Sequence, residues 1–495
     1  MSAEASTFET IAAPPRAAAA VTARRTLDWL PALIGLVTAM QALALARLYP
    51  EHRFDPDLLA YFTFFRNWLL DDRTIHGMPY FTAPKLLLVF TLGALGDATL
   101  AFYCSIAASA ALGIVFYLVC RDHFGRTTAA LASLVLLLDS GKAMLTLKSS
   151  ADLYLALLLF LAVWLSDRRR VWPAAWALLG AALVKPVALP CSLFLLVGPD
   201  RRARRWLAFA VPFLAVPLML LGNRALLGDA FSGSQFFREF ASMGGSEAIG
   251  PGQILHFAVW DQLVKTRFVA TASIGFAGVL MWIAADGTRL RSALLLMPAL
   301  FVGGYWALSV VTPFPPYFRY FWPLELWFLG FVVFGAVEGG RRLAAGDRRL
   351  QAGIAAAVLV LLIDAMVGRA IDYHRDYAQP NEIALRFADA AAPMLRAHRQ
   401  AGEGVLVPLG LLPYMLWQFP DIARDQLVYT AERVARDATP VHPRWVLHVP
   451  GMYTSDRTRE RVPQLLEQEH LIPVLGNDRA MLFGPAPETR SGDAG

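Results

Sequence analysis

The sequence predicts an all-α polytopic membrane bundle of roughly eleven spans, followed by a small C-terminal α/β domain outside the membrane. Three observations carry this. Of 495 residues, 56% are hydrophobic and only 17% charged, where a soluble domain has about 25% charged residues. The basic residues sit in short clusters between long apolar runs. Past about Tyr373 the pattern changes to alternating amphipathic and short apolar segments, the mark of helices and strands in turn. A soluble enzyme is excluded. So is a nucleic-acid partner, because the net charge of +6 resides in clusters placed as the positive-inside rule requires.

A spanning helix needs about 20 apolar residues. Leu27–Leu48 is the first, and Arg24 and Arg25 before it hold the N-terminus in the cytoplasm. The stretch 49–97 is then an outer loop. Within it Phe81–Leu95 is apolar but contains Pro84 and Lys85. The clusters at Arg121–Arg126, Arg168–Arg170, Arg201–Arg205, Arg289–Arg291 and Arg341–Arg349 all fall inside only if Phe81–Leu95 does not span. It is expected to lie along the outer face. The remaining spans are Ala98–Cys120, Thr127–Asp139, Ala151–Ser166, Val171–Val184, Pro186–Val197, Trp206–Leu226, Arg267–Ala285, Ser292–Val311, Tyr320–Glu338 and Gln351–Val367. Pro186 divides one long apolar stretch.

The outer loops are then 49–97, Ser140–Ser150, the turn at Lys185, Gly228–Lys265, Thr312–Arg319 and everything past Gly368. Residues 1–26, rich in Ala and Pro and lacking a secretory apolar core, read as a disordered cytoplasmic tail. Residues 27–368 form the membrane module. Residues 369–495 form the outer domain, with a helix at Ile383–Arg399, strands at Gly404–Leu409 and Trp445–Val449, a helix at Arg457–Glu469 and strands at Leu471–Leu475 and Met481–Phe483. Cys104, Cys120 and Cys191 lie in apolar segments without ligand spacing and read as buried thiols.

The stretch with the most chemistry runs from His52 through Asp55, Pro56, Asp57 and Tyr61 to Arg66 and Asn67, just outside the first span. A carboxylate there suits a general base, or a divalent cation (Mg or Mn) bridging to a lipid-linked phosphate. Spacing alone favours the other role open to it, the N-cap of a helix starting near Leu58. Lys85, Lys148, Lys185 and Arg319 fall on the same side. Each could snorkel to the interface or meet a phosphate, Arg as a fork and Lys as a point charge.

These residues resemble the GT-C superfamily of membrane glycosyltransferases, in the branch of the aminoarabinose transferases and protein O-mannosyltransferases. Members carry an acidic residue in the first outer loop, a Tyr four residues on and an Arg nine on. Asp57, Tyr61 and Arg66 fit that spacing, whereas Asp55 does not. The resemblance therefore makes Asp57 the base, with Asp55 second. Phe81–Leu86 sits where the family has a Pro-rich element but departs from it, since Lys85 follows a single Pro. Phe124-Gly125-Arg126, Ser149-Ser150-Ala151-Asp152, Leu183-Val184-Lys185-Pro186 and Pro316-Tyr317-Phe318-Arg319-Tyr320 through Pro323 resemble further family elements, in family order.

What the resemblance implies is transfer of a sugar from a polyprenyl-phosphate donor to a lipid, glycan or protein acceptor at the outer face of the cytoplasmic membrane. Lys85, Lys148, Lys185 and Arg319 would hold the donor phosphate. Tyr61, Arg66, His76, Asp152, Tyr317 and Tyr320 would contact substrate. His76, His256 and His52 also read as solvated loop histidines. Neither a Walker loop nor a dinucleotide fingerprint is present. Two other readings stay open: a transporter or flippase of lipid-linked sugars, and a membrane scaffold whose tail binds a partner.

Overall fold

The computed structural model describes residues 29–48, 98–197, 202–227, 249–264, 269–311, 318–344, 346–375, 379–400, 403–423, 428–430, 442–452 and 456–486. Long helices dominate. They begin with α1 (Leu30–Leu48), α2 (Ala98–Phe124), α3 (Arg126–Leu137), α4 (Ser140–Leu147), α5 (Ala151–Asp167) and α6 (Val171–Val184). A 3-10 helix, Pro186–Leu196, follows Lys185. Then come α7 (Arg202–Ala210) and α8 (Ala215–Leu227), joined by a 3-10 turn at Pro212. Next is α9 (Pro251–His256), continued by a π-helix over Phe257–Val264. The bundle is completed by α10 (Val269–Ala285), α11 (Ala293–Val311), α12 (Trp322–Leu343) and α13 (Arg348–Tyr373).

Among the described residues five helical stretches are long and apolar enough to cross a membrane: Leu30–Leu48, Phe102–Phe124, Ala203–Gly222, Gly287–Val310 and Arg319–Leu343. Two bent pairs bring the number to seven when each counts as one span. The sequence suggested roughly eleven. The difference lies in segments such as α6 and Pro186–Leu196, which are apolar but short. They are mostly packed within the bundle: Leu178, Ala181 and Ala182 of α6 and Ala188 and Cys191 of the segment after it have no exposed surface, while Trp176 and Leu193 face outward. A helix apolar on all sides is one surrounded by neighbours.

Two expected loops are helices. Ser140–Ser150 was expected outside the membrane. Instead Ser140–Leu147 is helical and buries Gly141, Lys142, Leu145, Thr146 and Leu147. It continues α3 after a 57° bend, and the pair supplies the length that the 12 residues of α3 lack. The bend falls at Asp139, whose carboxylate accepts from the Gly141 and Lys142 amides and so starts the second helix. In the expected loop Gly228–Lys265, residues Pro251–Val264 are helical and bury Ile254, Ala258, Gln262, Leu263 and Val264.

Helix contacts in lipid gain little from excluding water, so close van der Waals packing decides them. α10 and α12 pack closely: a Cβ on Gly278 would lie 2.3 Å from the Phe331 carbonyl oxygen, and one on Gly335 2.3 Å from that of Ile274. The two backbones approach as only glycines allow.

The C-terminal segment holds α14 (Gln379–His398), β1 (Gly404–Val407), α15 (Leu412–Gln418), α16 (Pro420–Ala423), β2 (Val428–Thr430), β3 (Pro443–His448), α17 (Asp456–Gln468), β4 (Ile472–Asn477) and β5 (Ala480–Gly484). The strands form one sheet in the order β2-β1-β3-β5-β4. β1 is parallel to β2 and β3, and β5 is antiparallel to β3 and β4. Alternation places Val405, Val407, Trp445 and Leu447 on one face with α14, and Leu406 and Val446 on the other with α17. The helix and strand positions read from the sequence agree with these elements. β2 and the two short helices before it are additions.

Candidate active site

The end of the bundle carrying Asp152 and Lys185 is built from three chain reversals. The first closes α4. Ser149 takes a left-handed φ of 49°, and its amide and that of Ser150 return to the carbonyls of Thr146 (3.1 Å) and Leu145 (2.9 Å). Ser150 then caps α5, its Oγ accepting from the Asp152 amide and donating to the Asp152 carboxylate, both at 3.3 Å. Asp152 stands in the first turn, where the helix dipole favours an anion.

The second reversal is at Lys185. Pro186 bars helical backbone for the residue before it, so Lys185 is extended, with φ −147°. Its ammonium leaves α6 and pairs with the Asp152 carboxylate. Both side chains are largely enclosed, at 14% and 3% exposure. The third reversal is the 3-10 turn Phe318–Phe321 ahead of α12. It sets the Tyr320 ring 4.2 Å from the Lys185 ammonium and the Arg319 guanidinium 5.8 Å from the same ring. These are cation–π distances.

Tyr305 of α11 stacks on Tyr320 with centroids 6.0 Å apart and planes at 17°. It reaches there because Gly304 allows α11 to press on the segment after Lys185. A Cβ at Gly304 would lie 2.2 Å from the Val187 carbonyl oxygen. Lys148 is buried at the end of α4, four residues before Asp152. The neighbouring Ser149 hydroxyl is buried without a hydrogen-bond partner. Among the described residues this cluster sets three cations, Lys148, Lys185 and Arg319, around the Asp152 carboxylate, in surroundings that screen charge poorly. Such an arrangement attracts and orients an anion.

Of the residues singled out from the sequence, the structure brings together Asp152, Lys185, Arg319 and Tyr320, with Lys148 alongside in the chain. Asp55, Asp57, Tyr61, Arg66, His76, Lys85 and Tyr317, with His52, lie outside the described residues. So do the proposed interfacial helix Phe81–Leu95 and the N-terminal tail. His256 is exposed and faces Asp261 at 3.4 Å. Among the described residues no three His, Cys, Asp or Glu side chains converge as a metal set would.

Four buried polar groups beside this cluster were not singled out. Asp139, 1% exposed, accepts from the Trp322 indole at 2.9 Å. Lys142 donates to Gln41 at 3.1 Å. Glu325, with no exposed surface, accepts from Gln262. Tyr305 carried no sequence signal, but Asp139, Lys142 and Glu325 did. A charge inside an apolar run is itself the mark.

No protein-family model matches the sequence, and neither does any curated protein. The fold is similar to ArnT from Cupriavidus metallidurans bound to undecaprenyl phosphate, with a TM-score of 0.49 at 14% identity over 92% of this chain and 97% of that one. The apo state of the same protein gives 0.48 at 15% identity, covering 91% and 98%. The archaeal oligosaccharyltransferase AglB from Archaeoglobus fulgidus, in complex with an inhibitory peptide and a dolichol-phosphate, gives 0.41 at 13% identity, covering 81% and 64%.

Proposed function

We propose that this chain is a glycosyltransferase that moves a sugar from a polyprenyl-phosphate donor to a lipid, glycan or protein acceptor at the outer face of the cytoplasmic membrane. The observation that carries the reading is the convergence of Lys185, Tyr320 and Arg319, all half-buried, on the buried Asp152 at one end of the bundle. The ordered motifs in the sequence add to it. An enclosed, net positive cluster at the mouth of an apolar bundle suits a ligand with an anionic head and a long apolar tail. A nucleotide-linked sugar has no such tail.

In this reading Asp57 takes the proton from an acceptor hydroxyl or amine. The acceptor atom bonds to the anomeric carbon, and the bond from that carbon to the phosphate oxygen breaks. Polyprenyl phosphate leaves with the electron pair. Arg319, with Lys85, meets its charge as it develops, which stabilises the transition state more than the ground state. Lys185 is already paired with Asp152, so its part is to hold Tyr320 and set the positive wall.

The test is transfer by the purified protein in proteoliposomes supplied with a polyprenyl-phosphate sugar. Asp57→Asn is expected to abolish glycoside formation while the melting profile stays that of the wild type. Full activity in that variant removes Asp57 as the base. A lipid-linked sugar carried across the bilayer with no glycoside formed would favour the transporter reading.

A further inference from the structure

The first turn of α12 is gripped from two sides by buried carboxylates. On one side is Asp139, at the elbow between α3 and α4. Its Oδ2 accepts the Trp322 indole N–H at 2.9 Å and the Lys142 amide at 3.2 Å, and its Oδ1 accepts the Gly141 amide at 3.4 Å. The indole lies directly on Gly141, where a Cβ would come within 2.9 Å of its nitrogen. The elbow is tied in turn to α1, because Lys142 donates to the Gln41 side chain and Gln41 donates to the Leu137 carbonyl. On the other side is Glu325, one turn further along α12. It accepts from Gln262 of the Phe257–Val264 segment, whose Phe257 ring meets Phe321 at 5.4 Å.

The Phe318–Phe321 turn stands immediately before both anchors in the chain. Tyr320 and Trp322 are two residues apart, and Phe321 between them is fully buried. A shift of the indole therefore moves Tyr320 and Arg319 with it. A carboxylate costs several kcal/mol to desolvate, and a leucine would fill the same space without that cost. What leucine cannot supply is a directional bond that fixes the indole in one place.

We infer that Asp139 and Glu325 are positioning residues. By clamping Trp322 and the first turn of α12 they hold Arg319 and Tyr320 against Lys185. The inference deepens the function proposed above and rests on it for the identity of the ligand, but the clamp itself can be measured without ligand.

Two measurements on the full-length protein in nanodiscs test it. The first is hydrogen exchange of the peptide covering residues 318–325. Trp322→Phe, Asp139→Leu and Gln262→Ala are each expected to speed its exchange at least tenfold. Asp139→Asn, which keeps an acceptor for the indole, is expected to stay within about threefold of wild type. The second is affinity for undecaprenyl phosphate. Asp139→Leu and Trp322→Phe should each weaken it about tenfold, and the double variant should be no weaker than either single one. Unchanged exchange in Asp139→Leu and Trp322→Phe overturns the clamp whatever the ligand. So does an Asp139→Asn variant as impaired as Asp139→Leu. Multiplicative losses in the double variant also overturn it. Should Asp139→Leu fail to fold, Trp322→Phe carries both measurements. A wild-type protein that does not bind undecaprenyl phosphate removes the proposed donor, and the exchange result then decides the clamp alone.

Discussion

The two ends of α5 carry the same chemistry in opposite settings. At its start Asp152 pairs with Lys185, and the two side chains are 3% and 14% exposed. At its end Asp167 meets His123 at 2.9 Å, and the adjacent Arg168 meets Asp122 at 2.9 Å, with side chains up to 42% exposed. The more exposed Arg168–Asp122 pair matches the charge placement that fixes membrane topology and is worth little. The enclosed end bears a desolvation cost that only a specific use of the charges justifies. Burial therefore separates the Asp152–Lys185 pair from the Arg168–Asp122 pair, although both read alike in the sequence.

The comparison is broken most sharply by removing one partner at each end. Lys185→Ala leaves the Asp152 carboxylate buried and uncompensated. It should lower stability by about 3–5 kcal/mol and stop transfer. Replacing both partners, as Asp152→Leu with Lys185→Met, should restore the melting temperature and still give no transfer. Arg168→Ala should cost no more than about 1 kcal/mol and leave transfer unchanged. Equal losses of stability in Lys185→Ala and Arg168→Ala would erase the distinction. Thermal unfolding and the transfer assay, run together, read all three.

A smaller effect sharpens the account of how the enclosed end is assembled. Gly303 and Gly304 are neighbours on α11, yet a Cβ at Gly303 meets nothing within 4 Å, while one at Gly304 would collide with the Val187 backbone. Gly304→Ala should force α11 away from the segment after Lys185, costing about 1–3 kcal/mol and disturbing the Tyr305–Tyr320 stack. Gly303→Ala should be neutral or slightly stabilising, because alanine restricts the unfolded chain more. Equal melting temperatures for the two variants would mean that the contact at Val187 relaxes freely.

Much of this was legible in the sequence. Basic clusters and apolar runs located the long helices, and Pro186 marked the reversal that frees Lys185. Short apolar runs located β1 and β3. The positions of Asp152, Lys185, Arg319 and Tyr320 at loop boundaries suggested a shared end, and the structure places them in contact. What was not legible is tertiary. Ser140–Leu147 looked like a polar loop because Ser140, Lys142, Thr146 and Lys148 interrupt its hydrophobicity. It is a buried helix because Gln41 accepts from the Lys142 ammonium, Ser109 accepts from the Thr146 hydroxyl, and Asp139 and Ser105 bond its backbone. Asp139 itself looked like the end of a span, since nothing local announces that Trp322, 183 positions away, will bond to it. Tyr305 is one aromatic residue among many in an apolar run, and only the packing at Gly304 gives it a place.

The smallest predicted effect lies in the C-terminal sheet, where the same rule of burial acts on a group that titrates. His448 ends β3, with its ring 6.0 Å from that of Phe483. Burial disfavours the imidazolium and lowers its pKa below the ordinary 6.5. Between that lowered value and about 6.5 the unfolded chain binds more protons at this position than the folded one, so stability rises with pH through this window. It is lost as the pH falls from above 6.5 toward the folded pKa. The sheet should therefore resist unfolding better at pH 7.5 than at pH 5.5, and His448→Gln should remove that part of the dependence. An NMR titration of the His448 ring should give a midpoint below 6.5. A midpoint at or above that value would mean that the ring is solvated, and that burial does not govern charge in this region as it does between Asp152 and Lys185.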